Sequence, residues 1–421
     1  MRHSPEDTGV ADGAPHSRAI LFVVGVALMN AVSTMIVIPV LPRLVQGFTG
    51  STASAAHVVG LFATVFALVQ FVVSPFLGSL SDRYGRRAVI LGSAFGQSIN
   101  FAMMAVAPSL GWLLIARVIS GATSASLPAV NAYIADVVPP NRRAASYGWV
   151  SAANSAGFLL GPALGGLLGE IAPRLPFWAA AVLSLVNVAY GSLVLRESLH
   201  VERRKPLSWR RANPIAAVRF LRLREDVASL TLVLVMLMLA QQCMPNTIVL
   251  YTDFRFGWSA AQIGAYLTAV GIGGMLVQGF VLKPFVARFR ERAAVMVGFV
   301  CYTIAFLIYA SAPVGRLFVL AAPFFALGGL VTPCVQAQVT HKVAAEEQGR
   351  LQGALAAVTN LCGLFTPILY TQVFAFAIGP GNGVLPPGAH IYLAAAFLAL
   401  GAVLAGRYLH QDRARMAAET G

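Results

Sequence analysis

Charge is what this chain has least of. Only 11% of its 421 residues are Asp, Glu, Lys or Arg, against about 25% in soluble domains. That supply cannot cover a soluble surface of this size, which excludes an ordinary water-soluble enzyme. Cysteine is scarce as well. Cys243, Cys301, Cys334 and Cys362 all sit in apolar stretches without metal-ligand spacing, so they read as small packing residues rather than a disulfide framework. The seven histidines are scattered, with His57, His200, His341 and His390 far apart and three near the termini. No nucleophile with its base and no metal constellation forms among them, which argues against a membrane enzyme and calls for no cofactor. Periodic strands and a separate soluble domain are missing too.

Apolar residues are what the chain has in abundance, at 57% with a mean hydropathy of +0.73. A helix needs about 20 apolar residues to cross the hydrocarbon core. Twelve such blocks fall near 19–42, 56–80, 88–108, 111–135, 146–169, 176–195, 227–251, 260–284, 293–312, 316–339, 350–377 and 389–409. Closed helices satisfy their backbone hydrogen bonds in lipid. The expected fold is therefore an all-α membrane protein with twelve transmembrane helices. A cytoplasmic tail (1–18) precedes one six-helix bundle (19–195), and a basic linker (196–226) leads to a second (227–409) and a tail (410–421). The first apolar run is too long for a signal-peptide core, so a retained helix is expected. The linker, with Trp209 among its arginines, reads as a solvated connector or as a segment lying on anionic headgroups.

Basic residues orient the chain. With the N-terminus inside, 25 of the 30 Lys and Arg fall on the inner side, Arg43, Arg174, Arg255 and Arg316 fall outside, and Arg117 lies within a span. That asymmetry puts both termini in the cytoplasm and points to a cell inner membrane. It also accounts for the net charge of +14. Nucleic acid is not an expected partner, because the basic residues are spread over many short loops instead of one face.

An internal repeat adds architecture to the span count. Residues 128–162 and 333–367 align without a gap at an offset of 205, pairing Pro128 with Pro333, Gly148 with Gly353 and Pro162 with Pro367. The same offset pairs Arg83 with Arg288, Arg87 with Arg292 and Tyr84 with Phe289. Two similar halves running in the same direction are the architecture of a transporter that holds its substrate between them.

The loop between helices 2 and 3 reads Gly78-Ser79-Leu80-Ser81-Asp82-Arg83-Tyr84-Gly85-Arg86-Arg87. Its glycines permit a reversal, and Asp82 offers a carboxylate to a helix N-terminus or an arginine. This loop resembles the signature loop of the major facilitator superfamily, where it is implied to latch the halves and gate their rocking. The matching second-half loop, Lys283 to Arg292, is degenerate and lacks the aspartate.

Helix 5 carries Gly157, Gly161, Gly165 and Gly169 at four-residue spacing, with Pro162 and Gly166 among them. Such a stripe makes one smooth face against which another helix can pack closely, and Pro162 removes a backbone donor. The second half does not repeat it. The segment Gly157 to Gly166 resembles the helix-5 motif of antiporters in the superfamily; plain close packing is the alternative. Arg117, in Arg117-Val118-Ile119-Ser120-Gly121, resembles the helix-4 arginine of drug:proton antiporters, implied to handle proton or substrate. It is also near enough to the outer end to snorkel. Asp136, with Arg142 and Arg143 beyond it, closes helix 4 on the inner side as a gate salt bridge or a helix-end charge.

From residue 20 to about 375 the chain resembles the tetracycline exporters of this superfamily, in stretches such as Ile38-Pro39-Val40-Leu41-Pro42 and Ala132-Tyr133-Ile134-Ala135-Asp136. Those exporters carry membrane aspartates where this chain has Asn30, Asn100 and Tyr302, and a histidine where it has Gly274. An asparagine does not exchange a proton at working pH. Coupling would then use a peripheral acid such as Asp82, Asp136, Glu170 or Asp253, or be absent. Helices 1, 4, 7 and 10 line the cavity in the superfamily, so Asn30, Asn131, Gln241, Gln242, Asn246 and Gln336 are candidate substrate contacts; interhelical hydrogen bonds are the plainer role. The expectation is a monomeric exporter of a small amphipathic organic compound, a drug or a secreted metabolite such as a siderophore, with protons as counter-substrate. An importer or facilitator of an organic anion is the alternative.

Overall fold

The structure is a computed structural model that describes residues 13–124, 126–199, 202, 204, 225–343, 347–380 and 384–420. The basic stretch 205–224, including Trp209, and the first twelve residues of the N-terminal tail lie outside the described residues. Everything else follows from helices. Among the described residues, nine stretches are long and apolar enough to cross a membrane on length and composition. One of these, Ala260–Ser311, is 52 residues long, more than twice the roughly 20 residues a single crossing needs. It divides at Arg290, where the backbone leaves helical geometry. Span 4 is assembled from Leu110–Ala122 and Ser126–Val137, and span 5 is the 32-residue helix Pro140–Ile171. Those three additions bring the total to twelve.

The first bundle comprises span 1 (Gly13–Ile36), span 2 (Thr52–Tyr84), span 3 (Arg86–Val106), spans 4 and 5, and span 6 (Leu175–Val194). In the second, span 7 joins Glu225–Gln241 to Cys243–Phe256, and spans 8 and 9 share Ala260–Ser311. Span 10 runs within Gly315–His341, span 11 is Gln348–Ile378 and span 12 is Ala389–Thr420. Local chemistry sets several starts. Ser51, Ser109 and Ser259 each accept from a backbone amide three residues on, and Gln262 returns the bond to complete a capping box at Ser259. Large apolar side chains such as Leu193, Phe280 and Leu21 face outward, at 86%, 75% and 67% exposure. Water would penalise that surface; lipid does not.

The internal repeat has a backbone counterpart. Gly85, between spans 2 and 3, has φ 104° and ψ 159°. Arg290, which is 205 residues later, has φ 66° and ψ 163°. No other non-glycine described residue has positive φ. The degenerate second loop has thus kept the turn and lost the glycine, at a cost of about 1–3 kcal/mol for a side chain at positive φ and extended ψ. Gly78, by contrast, lies inside the helix of span 2 with open space around it. The reversal expected of both glycines falls on Gly85 alone.

Candidate functional site

Three assemblies position the site, and the first is a chamber of about 590 Å³. Spans 1 to 5 supply most of its wall, with Asn30 and Thr34, Phe66 and Gln70, Gln97 and Phe101, Arg117 and Ser120, and Asn154 and Phe158. Pro245 and Asn246 of span 7 close it from the second bundle. A volume of that order suits a drug-sized molecule. Its polar groups are held by a chain of neutral hydrogen bonds. Gln97 donates to the Ser120 carbonyl (3.1 Å) and to Thr123 Oγ1 (3.3 Å), and its Oε1 accepts from Ser120 Oγ (3.2 Å) and Asn100 Nδ2 (3.3 Å). Asn100 Oδ1 then accepts from Arg117 Nη2 at 3.3 Å.

Of the residues singled out in the sequence, Asn30, Asn246 and Arg117 lie on this wall. The others lie elsewhere. Asn131 is exposed, and its carbonyl accepts from Tyr147 Oη at 3.4 Å. Gln241 donates to Tyr302 Oη at 3.1 Å, and the Gln242 carbonyl accepts from Asn246 Nδ2 at 2.6 Å. Gln336 is exposed, with its carbonyl bonded by Thr340 Oγ1 at 2.8 Å. Gln70, Gln97 and Asn154 also lie on the wall, on helices 2, 3 and 5 rather than the expected 1, 4, 7 and 10. Their signal was an amide inside an apolar span.

The second assembly is the signature-type loop. The Arg86 guanidinium sits between Asp82 Oδ1 (2.6 Å) and Asp136 Oδ2 (3.0 Å) and also donates to Ser81 Oγ. Arg87 donates to the Ser192 carbonyl at 2.6 Å, and Arg83 lies over the Tyr84 ring. Glu197, which the sequence reading passed over, accepts from the Arg86 amide at 2.8 Å, placing a carboxylate on the N-terminus of span 3. Ser198 beside it donates to Asp136 at 3.3 Å. None of these partners comes from the second bundle; Glu197 and Ser198 lie at the start of the linker. Arg86→Gln would strand two carboxylates, whereas Asp82→Asn strands none. We therefore expect both variants to insert normally, with Arg86→Gln losing more transport, about tenfold or more. Flux measured against membrane protein level checks this, and equal, normal flux for the two would contradict it.

The third assembly, at the opposite end, joins the bundles. Arg43 bonds Asp253 (2.9 Å) and the Trp258 carbonyl. Glu170 of span 5 accepts from the Ala261 amide (3.1 Å) at the N-terminus of span 8. Thr268 donates to the Leu159 carbonyl at 3.1 Å, and His57 meets Gln372. Both charges of the Arg43–Asp253 pair are about one-quarter exposed, so the pair contributes at most about 1 kcal/mol. A latch this weak holds a closed end that can reopen.

The glycine stripe lies beside it. A Cβ on Gly157, Gly161 or Gly165 would overlap the backbone or side chains of Ala31, Met35 and Ile36 in span 1. Gly166 faces the Ala260 carbonyl, and Gly264 of span 8 faces the Pro162 carbonyl. Span 5 thus runs against span 1 on one side and span 8 on the other.

Two membrane bundles around one chamber, latched at one end, match a known family. Its model, described as Major Facilitator Superfamily, covers residues 23–367 and 255–421. The chain belongs to the Major Facilitator Superfamily. It is 36% identical over 378 residues to the class C tetracycline resistance protein of Escherichia coli, covering 90% of this chain and 95% of that one. To the class G tetracycline resistance protein of Vibrio anguillarum it is 34% identical, over 89% and 94% of the two chains. Among solved structures, a bacterial homolog of the human lysosomal transporter Spinster, inward-facing and unoccupied, superposes with a TM-score of 0.75 at 17% identity, over 96% and 99%. The protein is therefore a multi-pass membrane transporter acting on small molecules, in a superfamily of transporters rather than enzymes.

Proposed function

We propose that this superfamily member exports a small amphipathic organic compound, a drug or a secreted metabolite such as a siderophore, by alternating access. The observation that carries the reading is the chamber between two bundles, joined by Arg43, Asp253, Glu170 and Ala261 at one end. At the other end the described ion pairs stay within the first bundle. The excess of Lys and Arg assigns that second end to the cytoplasm, with bundles over 19–195 and 227–409 and both termini inside. On this reading the latch closes the exterior end of the chamber. Similarity to tetracycline resistance proteins over nine-tenths of the chain supports export.

No carboxylate lines the chamber among the described residues. Proton exchange, if it drives the cycle, therefore runs through acids at the span ends, with Asp253 and Glu170 on the outer latch and Asp82 and Asp136 on the inner loop. Import of an organic anion is a second reading, favoured by one observation, the unneutralised Arg117 in the chamber wall. Inverted vesicles separate the two. A panel led by tetracycline should accumulate when the vesicle interior is acidic and should not without the gradient. Accumulation only in right-side-out vesicles would reverse the direction.

A further inference from the structure

Arg117 is the one charged residue on the chamber wall among the described residues, and none of the described ion pairs includes it. Its Nη2 finds two neutral acceptors, Asn100 Oδ1 at 3.3 Å and the Met104 thioether at 2.9 Å. Its Nε is buried without a partner. A cation removed from water and left unneutralised is costly, and such groups within spans face a cavity or a charge partner. The protein supplies the cavity and withholds the charge.

Asn100 explains how the charge is left available. It is fully buried, and its Nδ2 is tied to Gln97, which Ser120 and Thr123 hold in turn. The amide can therefore present only its oxygen to Arg117. That oxygen orients the guanidinium without discharging it, as an aspartate of the same shape would. The rings of Phe62, Phe101 and Phe158 line the same chamber.

We propose that the chamber binds its ligand through an anionic group, a carboxylate or an enolate, paired with Arg117, while an apolar ring body lies against the phenylalanines. Asn100 acts as a positioning residue that keeps the guanidinium charge for the ligand. The proposal rests on reading the chamber as the substrate site, and it names the substrate class of that site. It holds for either direction of transport.

The test uses the full chain in detergent and three probes with one ring system and different heads: naphthoate, naphthalenemethanol and naphthylmethylammonium. Binding is read by scintillation proximity. The wild type should hold naphthoate about tenfold or more tighter than the other two, the range of a charge-assisted pair. Asn100→Asp and Arg117→Gln should each abolish that preference, while Arg117→Lys keeps part of it; Asn100→Asp should also bring the ammonium probe level with the acid. Equal binding of the three probes by the wild type, preference for the ammonium, failure of naphthoate to bind, or a preference that survives both substitutions would each overturn the proposal. Vesicle flux running inward with the naphthoate preference intact would defeat export and leave this inference standing.

Discussion

Gly165→Leu is expected to abolish transport. A Cβ at that position would fall on the Ile36 carbonyl group of span 1, and a backbone carbonyl cannot rotate out of the way. A Cβ on Gly161 would lie 2.9 Å from the Met35 backbone carbonyl carbon, and one on Gly157 would lie 2.9 Å from the Val32 amide nitrogen. Overpacking costs about 1–3 kcal/mol where side chains can shift, and occasionally more. Against backbone the helices themselves must separate. Separation of spans 1 and 5 would also displace span 8, because Gly166 and Pro162 carry that contact on the other side of span 5. Flux should fall at least about tenfold for each of the three leucine variants. Gly148→Leu is the control, since a Cβ there meets nothing within 4 Å, and it should transport near the wild-type rate. Normal flux in all three stripe variants would mean the face bears no helix.

Span 5 meets its neighbours through small residues on both faces, and the second half does not repeat that stripe. In the first half, span 5 packs on a neighbour and across the chamber at once, and both contacts need small residues. At the offset of 205 the second half places Cys362, Thr366, Tyr370 and Phe374. Tyr370 donates to the Leu239 carbonyl at 2.8 Å, and its ring and that of Phe374 are fully buried. Span 11 crosses to span 2 as well, where a Cβ on Gly60 would meet Thr371 and the Pro367 carbonyl and where His57 meets Gln372. Pseudo-symmetry in the chain therefore does not require symmetry in packing.

Hydropathy carried the fold because lipid leaves a chain few choices. Once about 20 apolar residues recur twelve times, helices in two bundles follow. The turn at Arg290 shows the limit of residue identity as a guide, since the backbone of Gly85 persists there without the glycine. Arg117 and Asn30 were legible in the site because a polar group in an apolar run needs a reason. Gln70, Gln97 and Asn154 carry the same signal on helices 2, 3 and 5, outside the four helices expected to line the cavity. The latch was not legible at all. Arg43 and Asp253 are 210 positions apart, and on sequence each is an ordinary charge at the end of a span. Only packing brings them together. Glu197 was hidden in another way, since capping a helix by a carboxylate far along the chain leaves no local pattern.

Reopening of the latched end is the step on which the whole account depends. Arg43 and Asp253 are held at 2.9 Å by a pair of about 1 kcal/mol, so the closed end should part in every cycle. Replacing both with cysteine, in a chain whose Cys243, Cys301, Cys334 and Cys362 are changed to alanine, allows that end to be sealed by a reducible bifunctional thiol reagent that spans the length of the lost ion pair. The one measurement is flux in reconstituted vesicles before cross-linking, after it, and after reduction. Alternating access predicts that sealing stops transport and that reduction restores it. Undiminished flux through the sealed protein would show that the substrate does not pass between the bundles.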